Sequence, residues 1–165
     1  METSTRFWDA ALVERLRYVG ALLNMMDGGV GIGQKALAGS AAIWIAALDE
    51  TVLGTNPDCG GSKYSVRRAN ETGGKTVQAL RLARNEVAHG SALVTRSGVR
   101  VPMPVPVVWS LGFISGPELA SRFSQRLGKS ISNHDLALYE KFVSGADPKE
   151  VLSRAYEWLS EIAAY

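Results

Sequence analysis

The chain carries an arginine and a histidine five positions apart, in the run Arg84-Asn85-Glu86-Val87-Ala88-His89-Gly90. An arginine guanidinium stays protonated and presents a planar fork of donors that matches the oxygens of a phosphate. An imidazole changes its charge near neutral pH, so it can take up and release protons. Together the two side chains suit work on a phosphodiester, and they could cleave RNA without a metal ion.

The spacing of these residues conflicts with a site on one continuous helix. At 3.6 residues per turn, Arg84 and His89 lie about 140° apart around the axis, whereas Asn85 and His89 share a face. The side chains of Arg84 and His89 can approach each other if the helix ends near His89, as Gly90 favours, or if two subunits pair these helices about a twofold axis. A twofold axis would also bring two histidines together. The alternative is structural: Arg84 pairs with an acid such as Glu50, and His89 caps carbonyls at the helix end.

The motif lies in the only strongly basic part of the chain. Residues 63 to 100 contain eight basic and two acidic residues, a net charge of +6, in a chain whose net charge is +2. A basic patch around phosphate-handling residues is the electrostatic footprint of a nucleic-acid-binding protein. We therefore predict RNA contacts at the basic residues that precede the motif: Lys63, Arg67, Arg68, Lys75 and Arg81. The alternative is that these are scattered, solvated loop charges.

The motif resembles the signature of the HEPN superfamily, which is an arginine, four to six residues and a histidine, often with asparagine directly after the arginine. Here the match is Arg84-Asn85-x-x-x-His89-Gly90, late in a predicted helix and with the small Ala88 before the histidine. At the level of the fold, the resemblance covers most of residues 5 to 165. It implies a metal-independent endoribonuclease that works as a homodimer, as many HEPN proteins do in toxin-antitoxin and anti-phage systems.

The resemblance also implies a role for each matched residue. Arg84 would bind the phosphate and offset the charge that grows in the transition state. His89 would transfer protons at the 2′-hydroxyl or the leaving oxygen, and Asn85 would orient the phosphate or the imidazole. Cleavage would leave a 2′,3′-cyclic phosphate and a 5′-hydroxyl, with no cofactor.

The expected partners are RNA, a second copy of the chain, and an antitoxin or regulatory protein. Some HEPN domains lack nuclease activity and serve as dimerisation or RNA-binding modules. The alternative function is therefore a catalytically inactive module that binds RNA or another protein.

Apolar periodicity predicts an all-α fold, a helical bundle of about five to six helices in one domain of residues 1 to 165. A sequence rich in Gly, Asn, Ser and basic residues predicts a long loop over residues 54 to 74. The predicted helices run from after Ser4 to Met26, from about Gln34 to Leu53, from about Lys75 to His89, from Pro117 to Leu127, from about Asn133 to Ser144, and onward from Asp147 as N-cap.

A short β segment is predicted between the third and fourth of these helices. The segments Leu93-Val94-Thr95 and Val99-Arg100-Val101 predict a short hairpin with its turn at Ser97-Gly98. Three prolines between positions 102 and 106 forbid a central strand or helix, so the chain up to about Trp109 is predicted to be extended and at an edge.

A glycine-rich run suggests a different function, NTP binding. Residues 69 to 76 match a phosphate-binding loop except that Ala69 replaces its first glycine. The run lacks the buried strand before it and the acidic residue after a later strand that such a loop requires. We expect Gly73 and Gly74 to form the turn into the third helix instead.

The segment from Leu119 to Val143 loosely suggests a helix-turn-helix. In that case Arg122, Arg126 and Lys129 would face backbone phosphates. Core packing of its apolar residues, Leu127 and Tyr139 among them, is the alternative that we favour.

Composition predicts a soluble, cytoplasmic protein. Hydrophobic residues make up 46% and charged residues 21% of the chain, as in ordinary globular domains. The best candidate for a membrane span, Ala36 to Leu48, is shorter than the roughly 18 apolar residues that a span requires. The N-terminus lacks the pattern of a signal peptide. A lone Cys59 cannot form an internal disulfide and has no zinc-ligand spacing around it.

Overall fold

Seven helices and one two-stranded sheet make up the described part of the chain in this computed structural model, which covers residues 8–26, 32–55, 64–88, 94–98 and 109–164. The predicted all-α helical bundle is confirmed. The helices are α1 (Ala10–Met25), α2 (Ile32–Thr55), α3 (Tyr64–Asn70), α4 (Thr72–Ala88), α5 (Gly116–Leu127), α6 (Asn133–Phe142) and α7 (Pro148–Ala164), and the strands are β1 (Val94–Gly98) and β2 (Trp109–Phe113).

Helix α2 forms the centre of the bundle. It packs against α1, α4 and α7, and Ala41, Ile45 and Leu48 are fully buried within it. The complete apolar segment, Gly33–Gly54, is longer than the predicted candidate: its 22 residues and mean hydropathy of 1.4 would allow it to cross a membrane. Half of its most apolar window is buried inside the bundle, where it packs against α1, α4 and α7.

Helix α1 presents the predicted apolar face to this core, and Leu12, Leu16 and Val19 are buried along it. The predicted start after Ser4 is wrong. Asp9 is the N-cap, because its side chain accepts a hydrogen bond of 2.8 Å from the backbone N–H of Leu12. The predicted stop at Gly28 and Gly29 lies outside the described residues.

The predicted loop over residues 54 to 74 is wrong from residue 64 onward, where the chain forms α3 and the start of α4. Helix α3 has only seven residues, too few to be stable alone in water. Its Tyr64 and Arg68 lie four positions apart on one face, and both bind the buried Asp49 of α2. A tertiary contact therefore decides the conformation of a segment whose composition is typical of a loop.

Gly73 and Gly74 lie inside the first turn of α4, not in a turn before it. A Cβ atom on Gly73 would lie 2.4 Å from the Cβ of Trp158 in α7, and one on Gly74 would lie 2.4 Å from the Cα of Arg68 in α3. These glycines allow three helices to approach closely. Because their backbone packs against other helices, it offers no open cradle for a phosphate, which removes the NTP-binding interpretation.

Replacing Gly73 with alanine is expected to lower the free energy of unfolding by about 1–3 kcal/mol, because the added methyl group overlaps Trp158. Gly54→Ala is the matched control, since nothing lies within 4 Å of a Cβ at that exposed position of α2. There the higher helix propensity of alanine should leave stability unchanged or raise it by up to about 1 kcal/mol. Urea unfolding measures both changes, and equal stability of the two variants would contradict the close packing.

The predicted hairpin is wrong in its pairing. Strand β1 pairs antiparallel with β2, from Val94 opposite Phe113 to Gly98 opposite Trp109, so Ser97 and Gly98 lie in a strand. Strand β2 is held by the connection between α6 and α7: the N–H of Phe113 donates to the carbonyl of Ala146, 3.1 Å away. Residues 99 to 101, the second half of the predicted hairpin, and the proline-rich residues 102 to 108 lie outside the described residues.

The last three helices begin close to where the sequence predicts. Ser115 caps α5, Ser132 caps α6, and the Asp147 carboxylate accepts from the N–H of Glu150 at 3.1 Å. The Glu150 carboxylate accepts from Arg154, four positions further along α7, at 2.6 Å.

Core packing explains part of the segment from 119 to 143, as predicted. Tyr139 is fully buried, and its hydroxyl donates to the carbonyl of Ile114 at 2.9 Å. Leu127 does not belong to the core, because 42% of its surface is exposed at the end of α5.

Candidate functional site

A polar pocket of about 260 Å³ lies where α2, α4 and α6 meet. Helix α4 supplies most of its wall, because positions 78, 81 and 82 share one face of this helix while Val77, Leu80 and Ala83 face the core. Arg84, the candidate phosphate-binding residue, also lines the pocket. The described residues that line it are Glu50, Gln78, Arg81, Leu82, Arg84 and Asp135.

Glu50 of α2 joins the two arginines of this pocket. Its Oε2 accepts from Nη1 of Arg84, and its Oε1 accepts from Nη2 of Arg81 at 3.4 Å. The ion pair that the sequence offered as an alternative is therefore present. Both side chains of this ion pair are partly exposed, so the pair contributes little to stability. In the structure it sets the Arg84 guanidinium beside the Glu50 carboxylate at the pocket. The guanidinium has five N–H donors, so one contact with Glu50 leaves most of them for another acceptor.

The remaining two residues of the motif lie at the end of α4. Asn85 is in its last turn, and Ala88, its last residue, directly precedes His89. The side chain of Asn85 and the whole of His89 lie outside the described residues. The predicted convergence of Arg84, Asn85 and His89 thus stays a prediction.

The five predicted RNA-binding cations have different surroundings. Arg81 lies on the pocket with Arg84, and Lys75 is half-buried in the first turn of α4. Arg67 binds the carboxylate of Glu71 at 2.7 and 3.0 Å. Lys63 lies outside the described residues.

Arg68 is a structural residue, and the prediction that it contacts RNA is wrong. It is only 9% exposed, and its Nε and Nη2 donate to the two carboxylate oxygens of Asp49 at 2.6 and 2.8 Å. A guanidinium that is buried in a bidentate ion pair has no open face for a phosphate.

Comparison with protein-family models, with curated proteins and with solved structures gave no match to this chain. The assignment of the candidate site therefore rests on the geometry of its residues. Among the described residues, no group of three or more histidine, cysteine, aspartate or glutamate side chains is placed to hold a metal ion.

A buried cluster between α2 and α3 was not predicted from the sequence. Asp49 has no exposed surface, and it accepts hydrogen bonds from Arg68 and from the hydroxyl of Tyr64, 2.9 Å away. Burial, together with the negative charge of Asp49, raises the pKa of Tyr64 well above its ordinary value, so Tyr64 remains a hydrogen-bond donor. The signal in the sequence is an aspartate within the most apolar helix, because such a charge requires a buried partner.

Glu71, between α3 and α4, links this region to α7. Its carboxylate accepts from Arg67 and, at 2.6 Å, from the indole N–H of Trp158. The hydrogen bond from Arg67 has the largest effect on the pKa of Glu71 and, with that from Trp158, holds it below 4.5.

Acidification should therefore destabilise the protein partly through Glu71. Because the pKa of Glu71 is lower in the folded state, its contribution is complete above pH 4.5 and is lost as the pH falls through the folded-state value. In Glu71→Gln, unfolding midpoints measured between about pH 6 and about pH 3 should fall less than in the wild type. The difference should be modest, since the Glu71 side chain is 38% exposed. Unfolding midpoints that fall equally with pH in the two proteins would contradict this role of Glu71.

Proposed function

We propose that this protein is a metal-independent endoribonuclease of the HEPN type, acting as a cytoplasmic homodimer in toxin-antitoxin or anti-phage defence. The observation that carries the proposal is the position of Arg84, which lines an open polar pocket and is oriented by Glu50. The Arg84-Asn85-x-x-x-His89 motif and the net charge of +6 over residues 63 to 100 support it.

In the proposed reaction, the imidazole of His89 removes the proton from a 2′-hydroxyl, whose oxygen attacks the adjacent phosphorus. Arg84 donates hydrogen bonds to the phosphate oxygens and offsets the negative charge that grows on them. The bond to the 5′-oxygen then breaks, and this oxygen receives a proton from His89 of a second subunit. The products are a 2′,3′-cyclic phosphate and a 5′-hydroxyl, and Asn85 orients the phosphate or the imidazole.

The RNA path in this proposal follows Lys63, Arg67, Lys75 and Arg81, without Arg68. Among the described residues of this set, Arg81 is the one that lines the pocket with Arg84. Arg67 interacts with Glu71, which lowers its net attraction for a phosphate.

The proposal is tested by incubating the purified protein with single-stranded RNA and with tRNA in EDTA. Cleavage into fragments with 2′,3′-cyclic phosphate and 5′-hydroxyl ends is expected. Absence of cleavage, or cleavage that appears only after a divalent metal is added, would refute the proposal. The mass in solution should be that of a dimer, and a monomer at micromolar concentration would contradict the composite site.

A second candidate function is a catalytically inactive HEPN-like module that binds RNA or a partner protein. The ion pair between Arg84 and Glu50 favours it, because a carboxylate already neutralises the cation that would act on the phosphate. This candidate predicts RNA retention in a filter-binding assay with no cleavage under any condition.

A further inference from the structure

We propose that the pocket between α2, α4 and α6 receives a guanine base of the RNA, beside the phosphate that Arg84 contacts. This inference deepens the proposed function, because it names the nucleotide that the candidate site would select. The geometry behind it is a cation and a carboxylate on two walls of one pocket, Arg81 on α4 and Asp135 on α6.

Arg81 and Asp135 do not form an ion pair with each other. Within the described residues, the contact of Arg81 is that of its Nη2 with Glu50, at a long 3.4 Å, and neither Arg81 nor Arg84 pairs with Asp135. Oδ2 of Asp135 accepts one hydrogen bond, from the hydroxyl of Ser132 at 2.7 Å, so both carboxylate oxygens keep lone pairs for further donors. The pocket thus offers donors from one wall and an acceptor from the other.

Guanine matches this arrangement better than the other bases. Its N1–H and N2–H groups are adjacent donors for a carboxylate, and its O6 and N7 are adjacent acceptors for an arginine fork. Adenine and cytosine each offer a single amino group, and uracil offers none, so each makes fewer bonds between these walls. Gln78, at the same wall as Arg81, adds an amide that can donate to O6 or N7.

The size of the pocket also fits a base. About 260 Å³ lies below the range of ~300–1,000 Å³ typical of pockets that enclose a whole ligand. A single base is smaller than this space, so the pocket has room for it with the ribose and phosphate at the mouth. Arg84 lines the same pocket and supplies a cation for that phosphate.

The test is the affinity of the full chain for the four nucleoside monophosphates, as 3′- and 5′-phosphates, measured by isothermal titration calorimetry. Guanosine monophosphate is expected to bind about tenfold more tightly than the others, the effect of one good bidentate pair. Asp135→Asn should abolish this preference, and Arg81→Lys should reduce it because lysine keeps the charge but loses the planar fork. The ratio among nucleotides is the readout, because a change of charge alone alters all four affinities together.

Glu161→Gln is the matched control, since it removes an exposed carboxylate from α7 and should keep the preference. Thermal unfolding checks that each variant folds. Equal binding of the four nucleotides, no binding of guanosine monophosphate, or a preference that persists in Asp135→Asn would overturn the assignment. A guanine preference in a protein that cleaves no RNA would refute the nuclease proposal and leave the pocket assignment in place. Cleavage of RNA without a guanine preference would refute the pocket assignment and leave the nuclease proposal in place.

Discussion

Replacing Arg84 with alanine is expected to lower kcat/KM for RNA cleavage about 100- to 1,000-fold, the usual effect of removing one preorganised donor from a developing oxyanion. In the proposed reaction, the guanidinium, which lies at the pocket beside Glu50, donates hydrogen bonds to the phosphate oxygens as negative charge grows on them. Arg84→Lys should recover only part of the loss, because an ammonium keeps the charge without the fork. His89→Ala should cost about 100- to 10,000-fold through the loss of proton transfer.

Arg154→Ala is the matched control for Arg84→Ala. Arg154 is also a helical arginine in a single ion pair, with Glu150, and its side chain is 34% exposed against 30% for Arg84. Both substitutions should change the free energy of unfolding by no more than about 1 kcal/mol, as for other exposed ion pairs. Only Arg84→Ala should lose activity. Equal cleavage by the two variants would show that Arg84 has a structural role alone.

The largest effect on stability is expected from Asp49→Asn, which should lower the free energy of unfolding by about 3–5 kcal/mol. The substitution keeps the shape of the side chain but leaves the guanidinium of Arg68 buried without a counter-charge. It also weakens the acceptor for the hydroxyl of Tyr64. Because α3 depends on these contacts, we expect its amides to exchange with solvent faster in the variant.

Glu50→Gln provides a control at the neighbouring position of the same helix. The Glu50 side chain is 35% exposed and pairs with arginines at the surface, so this change should cost no more than about 1 kcal/mol. Urea unfolding at neutral pH measures both variants. A loss in Asp49→Asn no larger than that in Glu50→Gln would mean that the buried ion pair does not hold α3 in place.

The parts of the fold that could be predicted depend on contacts within a few residues. Apolar spacing along α1 and α2 identifies their buried faces, and Asp147-Pro148 marks the start of α7, because helix periodicity and capping act locally. The helical conformation of α3 was missed for the opposite reason. Its stabilising partner, Asp49, is 15 positions from Tyr64 and 19 from Arg68.

In the candidate site, too, the features set by nearby residues could be predicted and those set by distant residues could not. Residue types and spacing were enough to select Arg84 as a candidate phosphate ligand and, in the alternative interpretation, to name Glu50 as its partner. They could not indicate that Arg81 shares this partner or that Asp135 lines the opposite wall, since these depend on how α2, α4 and α6 cross. Arg68 was grouped with the surface cations because charge counts along a sequence contain no information about burial.

The sequence by itself determined an all-α chain with an Arg84-Asn85-x-x-x-His89 motif near the end of a helix and an excess of positive charge around it. Tertiary structure alone decided how that charge is distributed, with Arg68 buried against Asp49 and Arg84 held at an open pocket by Glu50. The physical reason is that helix formation follows from local spacing, whereas the environment of a charge is set by residues that lie far apart along the chain, 34 positions for Arg84 and Glu50.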